Sequence, residues 1–272
     1  MIARTTTNHT QVICNSFATY ALCQWRPNNT GLSCLQSARI SDRGLCRENN
    51  EDACFVSPKG IVIVADGMGG HQSGEVASRL ATDSIKRYLT RAYDQLVKHP
   101  RTMLVRAVEK ADGLVRARAM EDPRFQGMGT TIVIGFLRDH VLHCVNVGDS
   151  RAYLIRPPRT IKQLTKDHSY VHELVEQGEI DAHEARDHPM RNIITQSLGG
   201  PTDLNVYCKR VRLEKGDCIL FCTDGLYESV PDELILAEVV KAPNLTQACE
   251  DLVEQANAIG GSDNITLVMV RD

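Results

Sequence analysis

Three strand-like segments follow one another in the middle of the chain, at residues 130–137, 141–147 and 151–155, with breaks of only a few residues between them. A parallel connection between neighbouring strands needs a crossover of a dozen residues or more, so these short breaks favour antiparallel pairing. Two later segments, residues 206–213 and 217–222, are separated by a similarly short break. The chain is therefore predicted to build antiparallel sheet.

Segments with helical periodicity flank these strands in pairs. Residues 73–97 and 102–120 carry apolar side chains at close to helical spacing, and Pro100 separates them, which predicts a helical hairpin. Residues 231–240 and 244–259 form a second such pair before a closing strand. The order of strand, two helices, several strands, two helices and strand does not alternate as in a doubly wound fold. It favours an α+β domain in which helix pairs lie against antiparallel sheets.

Two segments fall outside this regular order. Residues 1–37 are rich in Thr, Asn and Ser, contain the single tryptophan Trp25, and lack both periodicity and the continuous apolar stretch of a signal peptide. We predict that they form a poorly ordered extension of one domain, which spans residues 38–272. Residues 167–200 are polar with short amphipathic pieces, which is typical of an excursion from a sheet, and we place a flap at about residues 168–188.

Overall charge and cysteine spacing narrow the classes of function. A net charge of −3 argues against a general nucleic-acid binder, and no apolar run approaches the roughly 20 residues of a membrane-spanning helix. The chain has ten cysteines but no C-x-x-C pair, which disfavours a zinc knuckle. We interpret the cysteines as small buried apolar residues of a protein in a reducing cytoplasm.

Acidic residues stand where apolar segments begin or end. They are Glu51, Asp52, Asp66, Asp149, Asp224 and Asp263. A single aspartate beside glycine at a strand end is more typical of a turn, because its side chain bonds the turn backbone. If several of these strand ends share one edge of a sandwich, their carboxylates converge and require pairing, protonation or a cation. Oxygen ligands without Cys or His favour Mg²⁺ or Mn²⁺.

The glycine-rich turn after Asp66, GMGGHQSG, lacks the spacings of the Walker, Rossmann and EF-hand loops.

Two metal ions held by shared carboxylates lower the pKa of a bridging water and neutralise the charge of a phosphate. An arginine nearby would hold the free oxygens of that phosphate. Arg47, five residues before Asp52, is either such an arginine or a solvated surface residue.

Other polar residues near these motifs have plainer interpretations. Thr130 and Thr131 are predicted to provide packing and backbone support rather than a nucleophile. Four histidines fall in or beside the predicted flap at spacings that fit no compact zinc site, and we interpret them as solvated: His168, His172, His183 and His188.

Eight segments, in this order, resemble the metal-dependent protein serine/threonine phosphatase family, type 2C, in its bacterial form. They are SDRGLCRENNEDACFV, VADGMGGHQSGEVAS, GMGTTIVIGFL, VNVGDSRAYLI, LTKDHSYVHELVEQGEI, HPMRNIITQSLGG, GDCILFCTDGLYESV and GSDNITLVMV, within residues 41–270. The resemblance implies a four-layer α-β-β-α sandwich, in which two antiparallel sheets are flanked by antiparallel helix pairs.

The resemblance also implies a role for each acidic residue. It makes Asp66 the carboxylate that bridges two metal ions, with the carbonyl of Gly67 as a ligand of one of them. Asp224 and Asp263 match the other ligands of this core pair. The further implied assignments are Glu51 and Asp52 as an acidic pair that binds a metal directly or through water, Asp149 as the ligand of a third, weaker metal, and Arg47 as the phosphate-binding arginine.

The activity that the resemblance implies is dephosphorylation of phosphoserine and phosphothreonine proteins. A water or hydroxide bridging two Mn²⁺ or Mg²⁺ ions would attack phosphorus, without a covalent phosphoenzyme. The expected setting is signal transduction in the cytoplasm, where a monomer reverses a bacterial kinase of the eukaryotic-like serine/threonine type. The alternatives are a catalytically silent phosphoprotein-binding module of the same fold and a hydrolase of small phosphoesters.

One position departs from the animal members of the family. They carry a histidine, viewed as a general acid, directly after the Asp-Gly pair, whereas this chain has Met68 there, as bacterial members do. His71 lies nearby, and a metal-bound water is a second possible donor. The sequence therefore leaves the general acid unassigned.

Overall fold

The computed structural model describes residues 14–15, 18–20, 23–24, 35–69, 73–158 and 160–271. The strands in this part of the chain are β1 (Cys14–Asn15), β2 (Ala18–Tyr20), β3 (Cys23–Gln24), β4 (Gln36–Asp42), β5 (Ala53–Val56), β6 (Ile61–Ala65), β7 (Gly67–Met68), β8 (Gly129–Thr130), β9 (Ile132–Arg138), β10 (Val141–Val147), β11 (Arg151–Arg156), β12 (Thr160–Gln163), β13 (Tyr207–Arg212), β14 (Cys218–Cys222) and β15 (Ile265–Arg271). The α-helices are α1 (Ser73–Arg91), α2 (Tyr93–Lys98), α3 (Pro100–Glu121), α4 (Tyr170–Gln177), α5 (Ala182–Asp187), α6 (Asp224–Tyr227), α7 (Asp232–Lys241) and α8 (Leu245–Ala258), with a 3₁₀ turn at Pro123–Phe125.

The long strands form two antiparallel sheets. The first has the order β1-β2-β4-β15-β14-β11-β12, with β3 also paired to β4, and the second has the order β13-β10-β9-β6-β5. The two short strands β7 and β8 pair separately. The β9–β10 hairpin turns at Asp139 and His140, which both have positive φ, and aligns Arg138 with Val141. The antiparallel pairing predicted from the short breaks is confirmed.

Three apolar layers hold the elements together. Helices α1 and α3 pack on the second sheet, where Ala77 and Leu104 share a buried cluster with β6 and β9. Helices α7 and α8 pack on the first sheet, where Leu252 lies in a cluster with β14 and β15. A third cluster, which includes Val64 and Phe221, lies between the two sheets. The arrangement is the predicted four-layer α-β-β-α sandwich.

Strand β6 shows how the sequence builds two of these layers at once. All five of its residues are buried. Ile61, Ile63 and Ala65 belong to the cluster facing the helices, whereas Val62 and Val64 belong to the cluster between the sheets. This alternation follows from the period of two along a strand, and burial of both faces explains the continuous apolar run.

The first helical segment differs from its predicted bounds. Helix α1 ends at Arg91 and α2 begins at Tyr93, because Ala92 between them leaves helical geometry at φ −103° and ψ 31°. Helix α3 begins at Pro100 rather than at residue 102. Proline lacks an N–H, and the first turn of a helix is where that loss costs least.

The proposed division after residue 37 remains a prediction. Strand β4 begins at Gln36 and pairs along its whole length with β15, from Gln36↔Arg271 to Asp42↔Ile265. Trp25 lies outside the described residues. None of the helices described here combines the length and the apolarity needed to cross a membrane.

The predicted flap contains two short capped helices. The Ser169 hydroxyl accepts a hydrogen bond from the His172 amide at the start of α4, and Asp181 forms a capping box with Glu184 at the start of α5. Left-handed Gly178 ends α4. Residues 168–188 therefore fold as a compact helical excursion.

The prediction that all four histidines are solvated is wrong for His168. This residue is only 7% exposed. Its Nδ1 accepts a hydrogen bond from the Gly148 amide at 3.1 Å, and its own amide donates to the Gly148 carbonyl at 3.0 Å. The base of the flap is thereby attached to the β10–β11 turn, so His168 is a structural anchor.

The interpretation of the cysteines as buried apolar residues holds for four of them and fails for one. Cys144, Cys218, Cys222 and Cys249 are buried free thiols. Cys46 is exposed, because it lies in the loop that precedes β5 rather than in an apolar layer.

Candidate metal centre

The acidic residues singled out from the sequence lie at strand ends on one edge of the sandwich. Asp66 follows β6, Asp149 lies between β10 and β11, and Asp224 follows β14 as the first residue of α6. Asp52 directly precedes β5, and Asp263 stands two residues before β15. The register brings these ends together, since Ala65 pairs with Ala53 and Arg151 pairs with Cys222.

Burial and mutual repulsion both act on these carboxyl groups. Desolvation raises the pKa of Asp66 well above its usual range, and the like charges of Asp224, Asp52, Asp149 and Asp263 add to the effect. Desolvation also raises the pKa of Asp52 to about 8 and that of Asp224 to about 6. A cation at this edge would stabilise the ionised forms of these carboxylates. Converging carboxylates are expected to need such a positive charge, because they otherwise repel one another.

Among the residues that the structure describes, two carboxylate oxygens are buried without a hydrogen-bond partner, Asp52 Oδ1 and Asp224 Oδ1. The other oxygen of Asp52 accepts a hydrogen bond from the Thr223 hydroxyl at 2.9 Å. A buried polar atom left unpaired costs about 1–3 kcal/mol or more, so these oxygens favour an additional positively charged partner. Their hard donor chemistry fits Mg²⁺ or Mn²⁺.

The side chains of the described residues do not yet form a coordination sphere. No group of three or more His, Cys, Asp or Glu residues among them is arranged closely enough to hold a metal ion as it stands. Ionised carboxylates repel one another, so a cation is needed to draw their oxygens into one coordination sphere, and the side chains have to rotate toward it. The donor types therefore fit a divalent metal, whereas the present rotamers do not.

Gly67 is enclosed by backbone on two sides. A Cβ at this position would collide with the carbonyl oxygens of Gly74 and Glu51. The chain after Asp66 therefore passes between the start of α1 and the loop before β5, where only glycine fits. This close approach places the Gly67 backbone beside Glu51 and Asp66.

A pair of buried threonines fixes the backbone of Asp66. The Asp66 carbonyl accepts from the Thr131 amide at 2.8 Å and from the Thr130 hydroxyl at 2.7 Å. The Asp66 amide donates to the Thr131 hydroxyl at 3.0 Å, and that hydroxyl lies 2.6 Å from the hydroxyl of Ser150. The predicted role of both threonines in backbone support is confirmed, and it extends to the turn that carries Asp149.

Arg47 reaches the acidic edge from an exposed loop. Its Nη2 donates to Asp263 Oδ2 at 2.7 Å, with the two side chains 53% and 32% exposed. Desolvation raises the pKa of Glu51, and the positive charge of Arg47 offsets part of this rise. Both interpretations of Arg47 describe part of its position, since it is solvent-accessible and adjacent to the candidate ligands.

Asn264 supports the site but was not singled out from the sequence. Its Nδ2 donates to the carbonyls of Arg43 and Asn49, both at 2.9 Å. Its Oδ1 accepts from the Glu51 amide at 2.8 Å. One side chain thus connects the loop carrying Arg47 and Glu51 to the strand end carrying Asp263. The position of Asn264 directly after Asp263 is the sequence feature that could have indicated this supporting role.

A partly buried ion pair between Arg151 and Asp167 was also not predicted from the sequence. Arg151 donates from Nη2 to Asp167 Oδ2 at 2.6 Å and from Nε to the same carboxylate, and its guanidinium stacks 3.6 Å from the centre of the Tyr227 ring. The pair connects the start of β11, two residues after Asp149, to the segment entering the flap. The GDSR motif contained the arginine, but nothing local indicated its partners.

The general acid remains unassigned. Met68 lies in β7 opposite Gly129, and its thioether has no proton to donate. His71 lies outside the described residues.

Comparison with known proteins places the chain in a family. The family model described as protein phosphatase 2C matches residues 46–258. Two stacked antiparallel sheets flanked by helix pairs, with acidic residues at strand ends on one edge, define a phosphatase of this class. The chain belongs to the protein phosphatase 2C family.

Relatives agree with this assignment over most of the chain. The serine/threonine phosphatase stp of Listeria welshimeri is 36% identical over 240 residues, covering 85% of this chain and 93% of that protein. The crystal structure of the Mycobacterium tuberculosis serine/threonine phosphatase PstP/Ppp superposes with a TM-score of 0.80 at 36% identity, covering 87% of this chain and 98% of that one. A structure of the PstP catalytic domain in complex with two manganese ions has a TM-score of 0.75 at 34% identity, covering 87% and 97%. The predicted family, fold and enzyme class are confirmed.

Proposed function

We propose that the chain hydrolyses phosphoserine and phosphothreonine in proteins with the help of two Mn²⁺ or Mg²⁺ ions. Asp66, the Gly67 carbonyl, Asp224 and Asp263 would hold this core pair. The proposal assigns Glu51 and Asp52 to direct or water-mediated contact with it, and Asp149 to a third, weaker ion. The observation that carries it is the convergence of buried carboxylates, two of which have an unpartnered oxygen.

Bound divalent ions supply a water of lowered pKa and neutralise phosphate charge. The residues of the protein contribute by holding the candidate metal ligands in place. The threonine pair fixes the Asp66 backbone, and Asn264 fixes the loop that carries Glu51. Arg47 has five N–H donors, of which one contacts Asp263 in the structure, so others are available to a phosphate oxygen.

The test is hydrolysis of a phosphothreonine peptide by the full chain with Mn²⁺, with and without a chelator. Turnover is expected only with the metal. Asp66→Asn keeps the shape of the side chain but removes its negative charge and one of its two oxygen donors, so it should lose most of the turnover. Wild-type turnover by Asp66→Asn would overturn the proposed mechanism. Phosphopeptide binding without turnover at saturating Mn²⁺ would instead favour the silent binding module.

The biological setting is part of the proposal. The family assignment supports phosphorylated proteins as substrates, and we infer that the chain acts in the cytoplasm as a monomer that opposes a serine/threonine kinase. A solved relative, 30% identical, is described as PppA, a regulatory component of the type VI secretion system in Pseudomonas aeruginosa. Phosphoproteomics of a strain lacking this protein should show accumulated phosphothreonine or phosphoserine on a kinase and its targets, and an unchanged phosphoproteome would contradict this setting.

A further inference from the structure

A cavity of about 590 Å³ lies at the end of the sandwich opposite the acidic edge. It is formed by the β5–β6 turn (residues 57–60), the β9–β10 turn (residues 138–140) and the second half of α1. Gly60 lies at one end of β6 and Asp66 at the other, so about 20 Å of strand separates the cavity from the candidate metal centre. The two sites are therefore distinct.

The walls of the cavity are apolar and held in place by defined contacts. Phe55, Tyr93, Leu137, Val141 and Leu213 are among the lining residues. The Tyr93 hydroxyl bonds the Lys59 carbonyl at 3.4 Å and accepts from Arg138 at 3.4 Å, so this ring is fixed to both turns. Ligand pockets in proteins usually enclose about 300–1,000 Å³ and are lined mainly by apolar and aromatic side chains.

The rim of the cavity is positively charged. The ammonium group of Lys59 lies 4.6 Å from the centre of the Tyr93 ring, and that of Lys86 lies 4.8 Å from the centre of the Phe55 ring. Neither lysine has a carboxylate partner within the part of the chain that the structure describes. Asp139, the acidic residue of the lining, is paired with Arg138 at 3.2 Å. Two ammonium groups thus remain to attract an anion.

We propose that this cavity binds a small amphipathic anion. Its aromatic or acyl body would occupy the space between Phe55, Tyr93 and Leu213, and its carboxylate, sulfonate or phosphate group would lie between Lys59 and Lys86. The charge of the rim selects the anionic head, and the apolar wall selects the body. The site goes beyond the proposed phosphatase activity and does not depend on it.

Calorimetric titration of the full chain tests the class of ligand. The probes are decanoate, decylammonium with the same chain and the opposite charge, and 1-anilinonaphthalene-8-sulfonate with an aromatic body. One molecule of decanoate or of the naphthalene sulfonate should bind per chain, and whichever binds more tightly identifies the body as acyl or aromatic. Decylammonium should bind at least about ten-fold more weakly than decanoate. Equal binding of the two ten-carbon probes, or no saturable binding of either anion, would overturn the proposal.

Variants of the rim locate the binding. The double variant Lys59→Glu/Lys86→Glu changes two exposed side chains and should weaken anion binding by about ten-fold or more. Lys110→Glu is the matched control, because Lys110 is also exposed and lies over an aromatic ring, that of Tyr88 at 5.6 Å, outside the cavity. It should bind as the wild type does. Equal weakening by both variants, or competition between decanoate and a phosphothreonine peptide, would contradict a separate site at this end of the sandwich.

Discussion

The backbone of Asp66 makes three hydrogen bonds to Thr130 and Thr131, and the Thr131 hydroxyl continues to Ser150, the neighbour of Asp149. Two strand ends that carry candidate ligands are thus connected by one buried hydroxyl. Binding and catalytic groups have to be held to within about 0.5 Å, and side chains that fix their neighbours supply that order. At the scale of single residues, the site depends on these supports as well as on its ligands.

Thr131→Val removes the shared hydroxyl but keeps the shape of the side chain. The Asp66 amide and the Ser150 hydroxyl would lose a partner, and unpaired buried groups cost about 1–3 kcal/mol. We expect a free energy of unfolding in urea lower by that amount, together with weaker activation by Mn²⁺. Thr131→Ser retains the hydroxyl and should retain Mn²⁺ activation. A valine variant with the wild-type Mn²⁺ dependence would show that the hydroxyl does not position the site.

Arg47→Ala should reduce kcat/KM for a phosphopeptide while leaving stability nearly unchanged. A hydrogen bond to a charged group contributes about 1.5–3 kcal/mol, which corresponds to a loss of about ten- to a hundred-fold. The ion pair with Asp263 is exposed, so its removal should change the free energy of unfolding by less than about 1 kcal/mol. Arg79→Ala is the control, because Arg79 is 66% exposed and pairs with Glu75 at a similar 2.7 Å. Equal effects of the two substitutions would refute a phosphate-binding role for Arg47.

At the scale of elements, the flap is attached to the acidic edge at its base. His168 bonds the Gly148 amide and carbonyl, and the nearby Arg151–Asp167 pair joins β11 to the same segment. The wider excursion that contains the flap, residues 167–200, returns to the sandwich at Leu198, which exchanges backbone hydrogen bonds with Thr130 at 3.0 Å and 2.9 Å. The segment that carries the flap therefore begins beside Asp149 and ends beside the threonine pair.

The base of the flap should weaken as the pH falls. Desolvation, with smaller contributions from neighbours such as Lys166, lowers the pKa of His168, and its Nδ1 has to be unprotonated to accept from Gly148. Because the unfolded chain binds this proton more readily, the stability is present above a pH of about 6.5 and is lost as the pH falls below that value.

Urea unfolding measured at pH 5.5 and 7.5 tests whether the free energy of unfolding falls as the pH falls. His168→Asn keeps an acceptor that does not titrate, so its stability should vary less with pH than that of the wild type. His183→Asn, at an exposed flap position, should keep the wild-type dependence. If the two variants lost the same amount of pH dependence, His168 would not be the responsible group.

At the scale of the whole molecule, the sandwich could be predicted because its signals are local. The buried run of β6, the short hairpin breaks and the helical periodicities each lie within a few residues of sequence. The candidate ligands were recognisable because each stands at the end of such a run. The partners of Arg151, the burial of His168 and the distal cavity were not predictable, because each depends on contacts between segments far apart in the chain.

Removal of the residues before Gln36 should leave the domain folded and active. A chain that begins at Gln36 keeps all seven pairs between β4 and β15, whereas one that begins at Arg43 loses a strand that carries Ala38 and Ile40 into the apolar core. Circular dichroism and phosphopeptide turnover should be preserved in the first chain and lost in the second. Loss of turnover in the first would show that residues 1–35 belong to the catalytic domain.

We propose that the carboxylates on one edge of the sandwich hold the metal ions used in hydrolysis. Anomalous diffraction at the manganese edge, from crystals of the active protein grown with Mn²⁺, tests it most directly. Two strong peaks are expected in contact with Asp66, one of them shared with Asp224 or Asp263, and both should be lost in Asp66→Asn. Peaks elsewhere on the molecule, or none in a protein that turns over phosphopeptide, would contradict it.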